Sequence, residues 1–165
     1  MAVIFISLGS NLDREVQLRA AVRALRASFT GVSLSPVYES AAVGFDGPPF
    51  YNLVARAETA LDPAAVVARL HAIEDAQGRQ RHADGWHSRT LDLDLLLYDA
   101  LVEETAQYAL PRPEITSHAF VLKPLADLAG TLRHPLQAAR YADLWAAFDQ
   151  AAQPLTRVPF EFDAA

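Results

Sequence analysis

The sequence predicts an α+β fold of the ferredoxin-like βαββαβ type: an antiparallel sheet with helices on one face, plus a C-terminal extension. Segments typical of strands and helices follow one another in the order strand–helix–strand–strand–helix–strand up to residue 98. Leucines alternate with aspartates in the last of these strands, as expected when one face is buried. A length of 165 residues indicates one domain, which we expect to span residues 1–165.

The first strand and helix are predicted from a change of periodicity near the N-terminus. Residues 2–8 form a short apolar run typical of a buried strand, and residues 14–29 repeat apolar side chains at helical spacing. Gly9 is expected to supply the intervening turn. Asn11 or Asp13 is expected to cap the helix.

The second repeat of the fold is predicted between residues 32 and 77. Residues 32–38 and 50–59 are typical of strands, and the glycines and prolines of residues 39–49 predict a long loop between them. Asp62, followed by a proline, is expected to begin a helix that runs to about Gln77.

The alternating strand over residues 89–98 presents two carboxylates on one face. Four leucines are expected to face the core: Leu91, Leu93, Leu95 and Leu97. Asp92 and Asp94 are then expected on the face away from the helices. Their repulsion would be relieved by a divalent cation with a preference for oxygen ligands, such as Mg²⁺. The alternative is an edge strand with two solvated aspartates and no metal.

The C-terminal third predicts a less regular extension. A short strand pair is expected around residues 101–109, a helix over residues 141–150 and a last strand over residues 156–162. Residues 120–125 form a further apolar segment.

Composition excludes several classes of function. The net charge of −6 argues against a nucleic-acid partner, which requires clustered lysine and arginine. The chain has no cysteine, so it has no disulfide or zinc–thiolate site. No apolar run reaches the length of a membrane span, and the N-terminus lacks the basic start of a secretory signal. We expect a cytoplasmic protein, monomeric, with no membrane partner.

Five short motifs are distributed along the chain. The most specific is the string Arg-Thr-Leu-Asp-Leu-Asp over residues 89–94, preceded by Gly-Trp at residues 85–86. The four others lie at residues 8–12, 51–53, 73–79 and 120–125. In sequence and order these motifs resemble the 6-hydroxymethyl-7,8-dihydropterin pyrophosphokinase family, and the similarity extends over most of the chain.

The resemblance implies a transferase of folate biosynthesis that moves the β,γ-pyrophosphoryl group of ATP to the hydroxymethyl oxygen of the pterin and releases AMP. It implies that Asp92 and Asp94 bind two Mg²⁺ ions, with ATP as co-substrate. Arg79 and Arg89 would contact the transferred phosphates and complete the catalytic set.

The resemblance also implies the two substrate sites. The pterin would be bound by six positions: Ser40, Val43, Phe50, Asn52, Trp86 and Phe120. ATP would be bound by six others: Glu74, Gln77, Arg81, His82, Arg112 and His118. For Phe50 and Phe120, taken singly, core packing is the alternative.

The chain departs from the family pattern on the ATP side. Arg112 stands between two prolines where the family usually has histidine, and His118 stands where it usually has arginine. These substitutions keep a second hypothesis open, a non-catalytic or weakly active paralogue that binds pterin or nucleotide. A third hypothesis treats the fold as an interaction module. A transition-metal site at His82, Asp84 and His87 is a further alternative.

Overall fold

The computed structural model of the protein describes residues 1–42, 46–78 and 91–163. Its strands are β1 (Ala2–Ser10), β2 (Thr30–Leu34), β3 (Val37–Ser40), β4 (Phe50–Thr59), β5 (Asp92–Tyr98), β6 (Glu103–Glu104), β7 (Ala109–Leu110) and β8 (Thr156–Val158). Its helices are α1 (Arg14–Ser28), α2 (Pro63–Ala76), α3 (Ala119–Ala129) and α4 (Tyr141–Ala147), with 3₁₀ turns at Pro113–Thr116 and Gln150–Ala152.

The main sheet has the order β5–β1–β4–β3–β8, and β2 also pairs with β4. All of its strand pairs are antiparallel. This confirms the ferredoxin-like order, because β1 and β4 are central and the strands that follow each helix lie outside them. The strand expected over residues 32–38 is divided at Ser35 and Pro36. There the Ser35 Oγ accepts the Val54 N–H at 2.9 Å, and Pro36 has no N–H to continue the ladder.

The helices α1 and α2 pack on one face of the sheet, as predicted. Asp62 accepts a hydrogen bond from the Ala65 N–H at 2.8 Å and so caps α2 as expected. The expected cap of α1 is wrong, because Asp13 is left-handed with φ 50° and its side chain makes no capping bond. Asn11 instead donates to the Pro48 carbonyl at 3.1 Å.

The leucine pattern of β5 is interrupted by one extra residue. Leu95 pairs with Ile6 and Leu97 pairs with Phe5, which leaves Leu96 between them without a partner position on β1. Because of this bulge Leu97 turns to the face opposite α1 and α2, where Leu96 also packs. The expectation that Leu97 lies on the same face as Leu91, Leu93 and Leu95 is therefore wrong.

The C-terminal extension covers part of that opposite face. The helix α3 packs Val121, Leu122 and Leu125 against Phe5 and Val54 of the sheet, in a cluster that also buries Tyr141 of α4. The sheet thus has helices on both faces. The prediction of helices on one face holds for α1 and α2, and the extension adds α3 and α4 on the opposite face. The same face becomes polar toward the end of β1. No helix in the described ranges is long and apolar enough to span a membrane.

Candidate active site

A row of paired residues crosses the sheet where its second face is polar. Tyr38 pairs with Asn52, Asn52 with Gly9, and Gly9 with Asp92. Directly opposite residues of antiparallel strands project to the same face. Asn52 and Asp92 therefore flank Gly9 on the face away from α1 and α2, as the alternation in β5 predicted for the aspartates.

Gly9 forms a floor between these two side chains. A Cβ atom at this position would lie 3.3 Å from the Asn52 Oδ1 and 3.7 Å from the Phe50 Cδ1. Its lack of a side chain therefore leaves space for a flat ligand to approach the backbone of β1. The sequence analysis treated Gly9 as a turn residue and missed this role, although a glycine inside a strand is itself a signal of close approach.

The amide of Asn52 is oriented by its neighbours. Its Nδ2 donates to the Ser40 Oγ at 2.8 Å and to the Tyr38 carbonyl at 3.4 Å, and Asn52 and Ser40 are 5% and 8% exposed. The Oδ1 is then left on the side of Gly9, where it can accept a hydrogen bond from an N–H group of a ligand. Phe50, which pairs with Ser40, lies on the same face at the next position along β4.

The acidic pair lies on the other side of Gly9. Burial, and then the charge of Asp92, raise the pKa of Asp94 to about 7, with smaller contributions from Glu74 and Glu114. Arg112 opposes this effect, since its guanidinium lies 3.5 Å from the Asp94 Oδ1. The Asp94 carboxylate is therefore partly removed from solvent and lies near other acidic groups. Carboxylate oxygens grouped in this way fit a hard divalent cation such as Mg²⁺.

Arg112 is shared between two carboxylates. Besides Asp94, it contacts Glu114, whose Oε2 lies 3.3 Å from the Arg112 Nε. The Arg112 N–H also donates to the Leu96 carbonyl at 3.0 Å, which fixes the arginine beside the bulge of β5. The structure therefore places this predicted ATP ligand next to the predicted metal site. Glu114 was missed by the sequence analysis, because a single glutamate in an irregular segment carries no signal.

Two other predicted ATP ligands make hydrogen bonds within the scaffold. Glu74 is 2% exposed, and its carboxylate accepts the Leu93 N–H at 2.8 Å, between the two aspartates. Gln77 donates to the Gln17 carbonyl at 3.0 Å and to its Oε1 at 2.7 Å, and so joins α2 to α1. Direct ATP contacts by Glu74 and Gln77 stay predictions.

His118 and Phe120 lie together at the start of α3. Their ring centroids are 5.0 Å apart, and the His118 Nδ1 lies 2.8 Å from the Ser117 Oγ. Both residues are partly exposed, and Phe120 also packs against the cluster around Leu122. A sandwich of the pterin between Phe50 and Phe120 stays a prediction.

Several predicted site residues lie outside the described residues: Val43, Arg79, Arg81, His82, Trp86 and Arg89. The alternative transition-metal set of His82, Asp84 and His87 also lies there. Within residues 1–42, 46–78 and 91–163, no group of three or more histidine, cysteine or acidic side chains is arranged to hold a metal.

Comparison with known proteins agrees with the geometry. The profile of the 7,8-dihydro-6-hydroxymethylpterin-pyrophosphokinase family matches residues 5–130. The chain is 42% identical over 136 residues to the 2-amino-4-hydroxy-6-hydroxymethyldihydropteridine pyrophosphokinase of Pseudomonas aeruginosa, covering 80% of this chain and 83% of that protein. It is 38% identical over 130 residues to the Bacillus subtilis protein of the same name, covering 76% and 77% of the two chains.

Solved structures show the same fold. The wild-type HPPK-DHPS protein of Plasmodium falciparum superposes with a TM-score of 0.70 at 13% identity. The superposition covers 88% of this chain and 44% of that one, so the chain spans less than half of this structural relative.

Proposed function

Because the chain belongs to the 7,8-dihydro-6-hydroxymethylpterin-pyrophosphokinase family, we propose that it transfers pyrophosphate from ATP to the hydroxymethyl group of 6-hydroxymethyl-7,8-dihydropterin. The products are AMP and the pterin diphosphate of folate biosynthesis. The observation that carries this proposal is the row Asn52–Gly9–Asp92. In this row, an amide that can hydrogen-bond to the edge of a heterocycle lies on the same face as the carboxylate pair. Asn52 and Asp92 are separated by β1, a span of about 10 Å that suits a bicyclic ring lying over Gly9.

In this proposal the pterin side of the site orients the acceptor alcohol. The Asn52 Oδ1 accepts a hydrogen bond from the ring edge, and its amide is held in that orientation by the Ser40 Oγ. The ring lies against the backbone at Gly9, with Phe50 and Phe120 on its faces. Backbone groups near Val43 are proposed to hydrogen-bond to the remaining polar edge of the pterin. The hydroxymethyl group then points toward β5, because the other end of the ring is fixed at β4.

The acidic side holds the metal. Asp92 and Asp94 are proposed to bind two Mg²⁺ ions, which when bound neutralise charge on the transferred group and align the attack. Arg79 and Arg89 are proposed to hold the phosphates of ATP. Trp86 is proposed to exclude water that would otherwise hydrolyse ATP.

The ATP side includes the two departures from the family pattern. Arg112 brings a permanent positive charge beside Asp94, so it is proposed to contact a phosphate oxygen of ATP. Arg81, His82 and His118 are proposed to bind other parts of the nucleotide. We extend the proposal to the cytoplasm, where ATP is available as the co-substrate.

The test is AMP formation from ATP and Mg²⁺ with and without the pterin. The Asp94→Asn variant is expected to lose pterin-dependent AMP while still binding the pterin in a fluorescence titration. Glu104→Gln removes an acidic charge from the exposed hairpin and is the matched control that should keep full activity. If the wild-type protein binds pterin but forms no AMP, it is the non-catalytic paralogue instead. That second candidate is favoured by the pairing of Arg112 with Glu114, which reduces the charge available to ATP.

A further inference from the structure

The last described residues of the chain form a strap across the edge of the sheet. We define the C-terminal strap as residues 156–163, which lie beyond the segment that matches the family profile. Its strand β8 pairs with β3 at three positions, the first being Val37 with Val158. Without β8, the four-residue strand β3 would be an edge strand held by β4 alone on its other side. The strap therefore supports the strand that ends at Ser40.

Arginines of α1 anchor the other end of the strap. The Arg19 Nε donates to the Glu161 carbonyl at 3.0 Å, and Arg23 pairs with the Asp163 carboxylate at 2.8 Å. Arg26 donates to the Asp163 carbonyl at 2.6 Å. These arginines follow one another at helical spacing, so they lie along one side of α1. The strap is thus attached to the sheet edge at one end and to a helix at the other.

Aromatic and cationic contacts on the α1 face connect the strap to the strand ends that carry the predicted pterin-binding positions. The Phe160 ring meets the Tyr51 ring edge to face, with centroids 6.1 Å apart. The Arg14 guanidinium lies 3.7 Å from the centroid of the Tyr51 ring. Arg14 also pairs with Glu39 of β3 at 2.9 Å and donates to the Pro49 carbonyl at 3.1 Å.

These contacts end on the two residues that flank the pterin-binding positions. Glu39 precedes Ser40, and Pro49 precedes Phe50, the predicted stacking residue. Arg14 therefore fixes the ends of β3 and β4 relative to one another. We define the strap relay as Phe160, Tyr51 and Arg14.

We propose that the C-terminal strap is a positioning element for the pterin, acting through the strap relay on the ends of β3 and β4. The proposal rests on the proposed function, because it needs the pterin to bind over β4 and β1. The metal side is on β5, at the opposite edge of the sheet from β8. The strap should therefore control pterin affinity and leave the metal and ATP sides unchanged. A merely structural role would weaken both sides together.

The first test compares two strap variants. Phe160→Ala removes the contact with Tyr51, whereas Phe162→Ala removes a similar apolar side chain that packs against Phe160 with centroids 4.6 Å apart. We expect Phe160→Ala to raise the KM for pterin about fivefold, with kcat and the KM for ATP within about twofold of wild type. Phe162→Ala should lower the Tm comparably and leave the KM for pterin unchanged. Phe160→Tyr keeps the edge-to-face contact and should restore the wild-type KM.

The second test changes Arg14, the residue of the strap relay that lies farthest from the strap, and leaves the strap itself unchanged. Arg14→Gln changes the first residue of α1, and a Tm measured beside the KM checks that folding is preserved. It should raise the KM for pterin as Phe160→Ala does, and the double variant should show no further increase, because both changes interrupt one relay. Equal effects of Phe160→Ala and Phe162→Ala, or additive effects of Arg14→Gln and Phe160→Ala, would overturn the proposal.

Pterin titration without ATP separates this proposal from the function on which it rests. If wild type binds pterin but forms no AMP, the transfer reaction is refuted, and the strap is still tested by the dissociation constants of the same variants. If wild type forms AMP and Phe160→Ala binds pterin equally well, the strap proposal alone is refuted. If wild type neither forms AMP nor binds pterin, both are refuted.

Discussion

The charge of Asp94 predicts that the Asp94→Asn variant and the wild-type protein differ in how stability depends on pH. In the metal-free protein, burial and the charge of Asp92 raise the pKa of Asp94 from 3.8 to about 7. Because the folded pKa is raised, the stabilising contribution is fully present below the unfolded pKa and is lost as the pH rises through 7. Asparagine carries no charge, so the variant does not lose this contribution.

The size of the effect follows from the two pKa values and the exposure of the side chain. Linkage gives a loss of about 2 kcal/mol in the free energy of unfolding between about pH 5.5 and pH 8 for a fully buried group. The Asp94 side chain is 32% exposed, and solvent screening reduces this to about 1 kcal/mol. For a domain of this size, that corresponds to about 2–4 °C in Tm.

Thermal unfolding in EDTA at the two pH values measures the difference. The Tm of Asp94→Asn relative to wild type should rise by about 2–4 °C from the lower to the higher pH. Glu104→Gln, on the exposed hairpin, should show no such trend. Mg²⁺ at the higher pH should raise the Tm of wild type more than that of Asp94→Asn, because it binds the ionised carboxylate. Parallel profiles of Asp94→Asn and wild type in EDTA would refute the reasoning.

Three other substitutions test separate parts of the structure. Tyr141→Phe removes a buried hydroxyl that has no hydrogen-bond partner among the described residues, so denaturant unfolding should show a gain of about 1 kcal/mol; a loss would reveal a partner. Gly9→Ala places a Cβ 3.3 Å from the Asn52 Oδ1 and should weaken pterin binding about tenfold in a titration; unchanged affinity would mean that the ring does not lie there. Arg112→Gln should raise the KM for ATP about tenfold, and an unchanged KM would mean that Arg112 serves only its two carboxylates, Asp94 and Glu114.

The order of elements was predictable because it depends on local periodicity. The start of α2 follows from Asp62 and the proline after it, and the cap is present at 2.8 Å. Asp92 and Asp94 share a face because side chains two apart in a strand always do, provided no bulge separates them. The bulge at Leu96 lies beyond both aspartates. The predicted orientation of Leu97 is therefore wrong, whereas the predicted orientation of Asp92 and Asp94 is correct.

Helix α4 begins at Tyr141, as the sequence predicts, whereas α3 was not predictable from the same signals. Pro124 lies inside α3, although proline disfavours a helix interior. A proline removes one N–H donor from a helix, and here the burial of Leu122 and Leu125 against the sheet offsets that loss. Local propensity could not reveal this, because the compensating surface comes from residues more than 60 positions earlier, such as Val54.

The row of the site depends on pairing that no single segment specifies. Asn52 and Asp92 are 40 positions apart, and they meet across Gly9 because β4 and β5 both pair with β1 in fixed register. A slip of one residue in either pairing would turn the partner to the opposite face. The apolar residues on the core side of β1 and β4 set that register. The packing on the α1 and α2 face therefore determines which side chains meet at the site on the opposite face.

The position of Arg112 connects the metal and ATP sides of this arrangement. The sequence analysis identified Arg112 only as a predicted ATP ligand between two prolines. In the structure, Arg112 lies 3.5 Å from Asp94 and 3.3 Å from Glu114. A guanidinium shared by two carboxylates attracts a phosphate more strongly once one of those carboxylates binds another cation. A divalent ion at Asp94 would be that cation. Glu114 would still hold the arginine at the edge of the site. In the proposed site, Arg112 would link ATP affinity to occupancy of the metal site, so the effect of Arg112→Gln on the KM for ATP should depend on the Mg²⁺ concentration.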